Sequence, residues 1–245
     1  MVFEKLDRRL IFEGYIEALT PLHVGSGRPE ISREERGIDM PVIRNAAGVP
    51  YIPGSSIKGR VRSEAERIAR SMGYEICNPP DPDKMCGSKV DSEEKLCIVC
   101  RIFGTAGKKL ARASKVRFRD ALPIGDVTEY EIRTGVAIDR ELGAVYKRML
   151  YTVEAVPAGS KFRFEMVAEN MTDEELRLLI AAVKSVEDSC IGGQSTRGFG
   201  KVRIVIERVR ERTAKYYLGE EPEKVLEGDE LRRWLEELMK PSSTS

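Results

Sequence analysis

Three stretches of this chain alternate apolar and polar residues with period two, and two stretches between them repeat apolar residues at helical spacing. In residues 8–19, Leu10, Phe12, Ile16 and Ala18 share one face. Residues 161–168 place Phe162, Phe164, Met166 and Ala168 together, and a last strand does the same with Val202, Ile204 and Ile206. Ile57, Val61, Ala65, Ile68 and Met72 predict a helix that opens at Gly54-Ser55-Ser56 and stops at Gly73. Leu176, Leu179, Ile180, Val183 and Val186 predict a second helix, introduced by a capping box from Thr172 to Glu175. Residues 150–156 read as a middle strand. The order strand, helix, middle strands, helix, strand is that of an α+β, ferredoxin-like (RRM-like) βαββαβ core.

A chain of 245 residues accommodates that core as one domain, residues 1–245, carrying insertions. Residues 20–54 are rich in Gly and Pro and read as a long shaped loop, with the charged tract SREER at 32–36 and a short strand at 40–43. Residues 77–100 form a cysteine-rich insertion, and residues 126–149 a protruding hairpin or loop. Residues 219–245 form an acidic tail with an amphipathic helix through Leu231, Trp234, Leu235 and Leu238. No apolar run approaches the about 18 residues of a membrane span, and the first ten residues lack a signal-peptide core, so a cytoplasmic protein without a membrane role is expected.

Charged residues make up 33% of the chain, yet the net charge is only +1. The near-neutral sum conceals opposed regions. Arg101, Lys108, Lys109, Arg112, Lys115, Arg117 and Arg119 occupy a stretch with no acidic residue, whereas the segment from Gly219 to Lys240 is acidic. A basic stripe suits a phosphate backbone, and it equally suits a solvated surface. The first helix adds Ser55, Ser56, Lys58, Arg62 and Arg70 near an N-terminus whose free N–H groups and dipole favour an anion; a plain serine cap is the commoner meaning of such a pair. Gly192, Gly193, Gly198 and Gly200 surround Arg197 and Phe199, a composition that permits an anion nest, a phosphate pair and a stacked base, or simply a tight turn into a strand. His23 is the sole histidine, which excludes a two-histidine acid–base mechanism; beside Gly25, Ser26 and Gly27 it reads as an RNA contact or as a packed residue at a strand end.

Cys77, Cys86, Cys97 and Cys100 are spaced C-x8-C-x10-C-x2-C in a hydrophilic segment without a core pattern of its own. The C-x2-C pair lets two thiolates share one metal, and a closed site of four thiolates around a structural Zn²⁺ would supply the folding energy the segment lacks. Free thiols or a disulfide are the alternatives. Cys190, among apolar residues, reads as core.

Four segments in order, LTPLHVGSG (residues 19–27), GIDMPVIRN with GVPYIPGSSIKGRVRSE (37–64), VAIDRELGAVYKRMLYTVEAVPAG (136–159) and GGQSTRGFGKV (192–202), resemble the RAMP superfamily, specifically the Cas-seven-like backbone subunits of type III CRISPR effector complexes. The resemblance implies copies of a ferredoxin-like subunit self-associated into a filament along a CRISPR guide RNA, beside other subunits of the complex. It implies guide contacts from His23, Ser55, Ser56, Lys58, Arg62, Arg133, Gly192, Gly193, Arg197 and Phe199. It implies a thumb within residues 126–149, with Tyr130, Ile132 and Met149 as apolar wedges and Arg133 and Arg140 as phosphate partners. In the members that cleave complementary target RNA, an aspartate in the loop after the first strand acts with a divalent metal; the matching residue is Asp39, with Mg²⁺ or a similar ion. A non-catalytic guide-holding scaffold and a metal-independent guide-processing endoribonuclease using His23 are the alternatives.

Overall fold

The computed structural model describes residues 5–25, 37–79, 81 and 83–240; the charged tract at 32–36, Ser26 and Gly27 lie outside them. The first alternating run is strand β1 (Arg9–Ala18) and the first amphipathic run is helix α1 (Gly54–Ser71). Short helices α2 (Cys86–Lys89) and α3 (Ile98–Phe103) follow, then a two-residue pair β2 (Thr105–Ala106) and β3 (Ala111–Arg112), and β4 (Val116–Phe118). A hairpin of β5 (Glu131–Ile138) and β6 (Val145–Ala155) precedes β7 (Lys161–Glu169), α4 (Asp173–Asp188) and β8 (Val202–Arg212). The chain then forms α5 (Ala214–Tyr217), β9 (Lys224–Glu227) and α6 (Gly228–Met239).

The main sheet runs β4-β7-β1-β8-β9, antiparallel throughout. Read as second, third, first and fourth core strands, β4-β7-β1-β8 has the ferredoxin-like order. The expected middle strand at 150–156 is a strand, but it belongs to the separate β5–β6 hairpin. The second core strand is instead the three-residue β4, which sits inside the basic run and is too short to show an alternation.

Period two decides the two faces of the sheet. Leu10, Phe12 and Ile16 of β1, and Phe162, Phe164 and Met166 of β7, share one core with Ile57, Val61 and Ala65 of α1 and Leu176, Leu179 and Val183 of α4. The capping box is present: Thr172 Oγ1 accepts from the Glu175 N–H, and Glu175 Oε2 accepts from the Thr172 N–H. Met72, expected on the buried face of α1, is exposed beyond its last turn. The acidic tail is no appendage. β9 extends the sheet beside β8, and α6 buries Leu231 and sets Trp234 against Phe12 with ring centroids 6.3 Å apart.

The opposite sheet face is laced by ion pairs. Glu169 accepts from Arg9 at 2.6 Å and from Arg117 at 2.7 Å, and Arg119 pairs with Glu165. Arg210 meets Glu13 and Arg203 meets Glu17. Burial acts to raise the Glu169 pKa, but the hydrogen bonds and charges of Arg117 and Arg9 outweigh it and hold it below the ordinary range. The stabilisation from this group is therefore present above the unfolded-state carboxylate value of about 4.3 and lost as pH falls through the lower folded value. Glu169→Gln is expected to flatten the acid limb of stability against pH, measured by urea denaturation across that range; an unchanged limb would show that the two arginines do not hold the carboxylate in solution.

Candidate functional site

At the end of the sheet where β1 stops, three segments meet: residues 20–25 with 37–44, the base of the β5–β6 hairpin, and the glycine-rich loop at 192–200. The backbone interlocks them. Leu22 and Val156 exchange hydrogen bonds at 2.8 Å, the Gly193 N–H donates to the His23 carbonyl at 2.8 Å, and the Gly200 N–H donates to the Pro21 carbonyl at 2.9 Å. The segment expected as a short strand at 40–43 forms only isolated bridges. Its Met40 lies alongside β6, donating to the Thr152 carbonyl at 3.0 Å and accepting from the Glu154 N–H at 2.9 Å.

Asp39 is exposed at this junction, and its carboxylate is held by β6. Oδ2 accepts from the Thr152 N–H at 2.7 Å. The Thr152 hydroxyl lies 3.0 Å from both that oxygen and the Gly37 carbonyl, and accepts from the Asp39 N–H at 2.9 Å. Two residues on, the Glu154 carboxylate is 3% exposed. It accepts from the Val42 N–H at 2.9 Å and from both Arg44 terminal nitrogens, at 2.6 and 2.9 Å. These bonds to Glu154 raise the Arg44 pKa, and its guanidinium lies 4.3 Å from the centre of the Tyr130 ring. Tyr130 thus packs at the hairpin base and is no free wedge.

His23 is 6% exposed, and its Nδ1–H donates to the Glu154 carbonyl at 2.7 Å, since a carbonyl only accepts. Gly25 and Gly193 bracket the ring: a Cβ on either would stand 3.1 or 3.2 Å from imidazole atoms. Gly192, at φ +85°, passes so close that a Cβ would lie 2.2 Å from the His23 carbonyl oxygen. The glycines thus let the loop close over the histidine. Arg197 is exposed, donating to the Tyr151 hydroxyl at 2.6 Å and to Gln194 Oε1 at 2.7 Å. Phe199 is 4% exposed under the Arg133 guanidinium, 4.7 Å from its ring centre. In this arrangement Phe199 anchors the loop instead of presenting a face to a base. Above the base, the hairpin exposes Ile132, Val136, Ile138, Leu142, Met149 and Leu150, and Arg140 lies at its tip.

The first N–H of α1 is already engaged. Gly54 donates its N–H to Asp120 Oδ1 at 2.8 Å, a cap that no local pattern reveals, and a Cβ at Gly54 would lie 2.3 Å from the Phe118 carbonyl oxygen. Ser55 is exposed and Ser56 half-buried beyond that cap. Burial lowers the Lys58 pKa, and the charge of Arg62 lowers it further. Arg62 turns toward the cysteines: it pairs with Glu66 at 3.1 Å, reaches the Gly104 carbonyl at 3.4 Å, and points a terminal nitrogen at Cys100 Sγ, 3.9 Å away. The basic run is also differently disposed than a phosphate stripe requires. Lys115 is buried against Glu175 at 2.6 Å, Arg112 faces Glu93, Lys108 faces Asp83, and Arg101 faces Glu174 and Glu175.

The sulfurs of Cys77, Cys86, Cys97 and Cys100 all lie within 4.8 Å of one another, with Cys77 and Cys100 3.3 Å apart and Cys77 and Cys97 3.9 Å apart. Thiolates at ~2.3 Å from a tetrahedral metal stand roughly 3.8 Å from each other, so this donor set fits an ion such as Zn²⁺. Cys97 is pulled down to about 4, first by the hydrogen bond from Cys100, and it also accepts from the Cys100 N–H at 3.5 Å. Burial pushes Cys86 up to about 11. The insertion does not stand apart as its composition suggested, because α3 sends Ile98, Val99, Ile102 and Phe103 into the main core. Cys190 is half-buried and outside the cluster.

Residues 15–203 match the model of the RAMP superfamily. The chain is 34% identical to the CRISPR system Cms endoribonuclease Csm3 of Methanocaldococcus jannaschii, covering 92% of this chain and 90% of that one. It is 31% identical to the protein of the same name from Methanothermobacter thermautotrophicus, covering 91% and 94%. A crystal structure of a Csm3–Csm4 subcomplex in the type III-A CRISPR-Cas interference complex is similar at TM-score 0.58 and 27% identity, covering 98% of this chain and 99% of that one. The Methanopyrus kandleri Csm3 structure shares the fold at TM-score 0.63 and 22% identity, covering 95% and 96%.

Because α3 joins the cysteine cluster to the main core, loss of a metal there should be felt by the whole domain. Purified protein is expected to carry one zinc per chain by elemental analysis. Cys97→Ser together with Cys100→Ser should remove it and lower the thermal midpoint by several degrees or more. A metal-free wild type of equal stability would show that the four thiols act as a plain buried cluster.

Proposed function

The chain belongs to the RAMP superfamily, and on that premise we propose that it is a guide-RNA-holding backbone subunit of a type III CRISPR effector complex that cleaves RNA complementary to the guide. The observation that carries the reading is the junction itself. An exposed carboxylate, Asp39, is fixed to the base of a protruding apolar hairpin, beside a glycine-rich loop bearing Arg197, in a chain similar over nine-tenths of its length to named endoribonucleases.

In this reading the start of α1 and the glycine-rich loop grip the guide backbone, with Ser55, Ser56, Lys58 and Arg197 as donors and Gly192 and Gly193 letting it approach closely. Such contacts position RNA without reading its sequence. The hairpin presents Ile132, Leu142 and Met149 to the guide–target duplex, and copies of the chain repeat that wedge along it. Asp39 would hold a hydrated divalent ion such as Mg²⁺, which needs only one or two carboxylates and the substrate phosphate. Such an ion would supply charge neutralisation and Lewis-acid polarisation at the phosphate under attack. The target strand's own 2′-hydroxyl gives up its proton to water and attacks the adjacent phosphorus; the bond to the 5′-oxygen breaks, that oxygen leaves as a hydroxyl by taking a proton from water, and a 2′,3′-cyclic phosphate results. The packed His23, with its Nδ1–H donated to Glu154, supports a role in holding the loop closed and tells against guide processing with a histidine base. The cysteine cluster would hold a structural Zn²⁺, with Arg62 as its neighbouring cation.

The assembled complex is expected to cut guide-complementary RNA at regular intervals with Mg²⁺ and to stop when EDTA is added. With Asp39→Ala, target binding should persist while cleavage falls at least a hundredfold. Binding without cleavage by the wild type would make the chain a scaffold and remove the catalytic part of the proposal.

A further inference from the structure

Asp39 is joined to the hairpin through one residue, Thr152, which contributes both its backbone N–H and its side chain. The Thr152 N–H reaches Oδ2 at 2.7 Å, and its hydroxyl lies 3.0 Å from the same oxygen. That hydroxyl also takes the Asp39 N–H at 2.9 Å and lies 3.0 Å from the Gly37 carbonyl, so it ties both the side chain and the backbone of the loop. The adjoining backbone continues the attachment, with Met40 donating to the Thr152 carbonyl at 3.0 Å.

We infer that Thr152 is the positioning residue for Asp39, orienting the carboxylate at the site of cleavage and making that orientation depend on the strand that descends from the protruding hairpin. The inference rests on the reading of Asp39 as the cleaving residue. A freely rotating carboxylate on a loop presents the phosphate-facing geometry for only part of the time, whereas one that accepts from the Thr152 N–H, with the Thr152 hydroxyl in reach of the same oxygen, is pre-oriented. Thr152 touches neither RNA nor the reacting atoms in this scheme, so its removal should slow the step without weakening target binding.

The test uses the assembled complex with guide RNA, comparing wild type, Asp39→Ala, Thr152→Val, Thr152→Ala and Thr152→Ser under single-turnover conditions, with target affinity measured separately. Valine keeps the branched shape and the strand propensity while deleting the hydroxyl, and alanine checks that valine's second methyl is not the cause of any effect. Both are expected to cleave roughly ten- to a hundredfold more slowly, the range for a hydrogen bond to a charged group, with target affinity within about twofold of wild type. Serine, which restores the hydroxyl, should recover the rate to within about threefold. Wild-type cleavage by Thr152→Val, with Asp39→Ala inactive, would overturn the inference and leave the functional reading standing. Equal slowing by valine, alanine and serine would overturn it in favour of a packing role. Cleavage by Asp39→Ala at the wild-type rate would remove the functional reading and this inference together.

Discussion

A carboxylate taken out of water costs several kcal/mol unless donors surround it, and at Glu154 that requirement organises the functional end of the molecule. Its two oxygens draw in the Val42 N–H and the Arg44 guanidinium, while its backbone carbonyl takes the His23 Nδ1–H. Residues distant in sequence are thus drawn to one point on β6. Once His23 is seated there, its own carbonyl receives the Gly193 N–H, and Gly192 must pass where a Cβ would collide. The glycine-rich loop therefore closes on a histidine that the buried carboxylate's residue has already oriented.

Local periodicity made the ferredoxin-like core legible. Strands β1 and β7 and helices α1 and α4 each turn an apolar face to the core, β8 does so with a bulge between Ile206 and Arg208, and the Thr172–Glu175 box marks a helix start without reference to anything distant. What stayed hidden was set by long-range pairing. β4 spans three residues and gains its identity only from its register with β7. Residues 150–156 alternate well enough to be a strand, but alternation does not say which sheet a strand joins. The tail is acidic because α6 is half-exposed, and the few apolar residues it turns inward were enough to dock it beside Phe12. The motif singles out Asp39 as a candidate, whereas the partners of Thr152, Glu154 and Asp120 lie far away in sequence and are not written in the residues around them.

The basic run from Arg101 to Arg119 shows the limit of reading charge along a chain. Arg101, Lys108, Arg112, Lys115, Arg117 and Arg119 diverge to acidic partners elsewhere in the fold, among them the buried Lys115–Glu175 pair that also ties β4 to the capping box of α4. The open sheet face, which in an RRM-like fold is a natural surface for RNA, is likewise occupied by arginine–carboxylate pairs. Opposite charges already satisfied within the protein gain little from phosphate and would have to break existing hydrogen bonds to reach it.

Strand β6 is suited to link those loops because successive side chains point to opposite faces. Tyr151, Val153 and Ala155 pack toward Phe199 and the glycine-rich loop, whereas Thr152 and Glu154 engage residues 39–44. The register that sorts them is locked by shape: Tyr151 lies across Gly135 on β5, where a Cβ would stand 2.1 Å from its ring. A slip of one residue would exchange the two faces and detach both loops at once. A single pleated strand thus sets the spacing between the segment that carries Arg197 and the segment that carries Asp39. The proposed guide grip and the proposed cleaving carboxylate are held in fixed relation by the same backbone from which the hairpin rises.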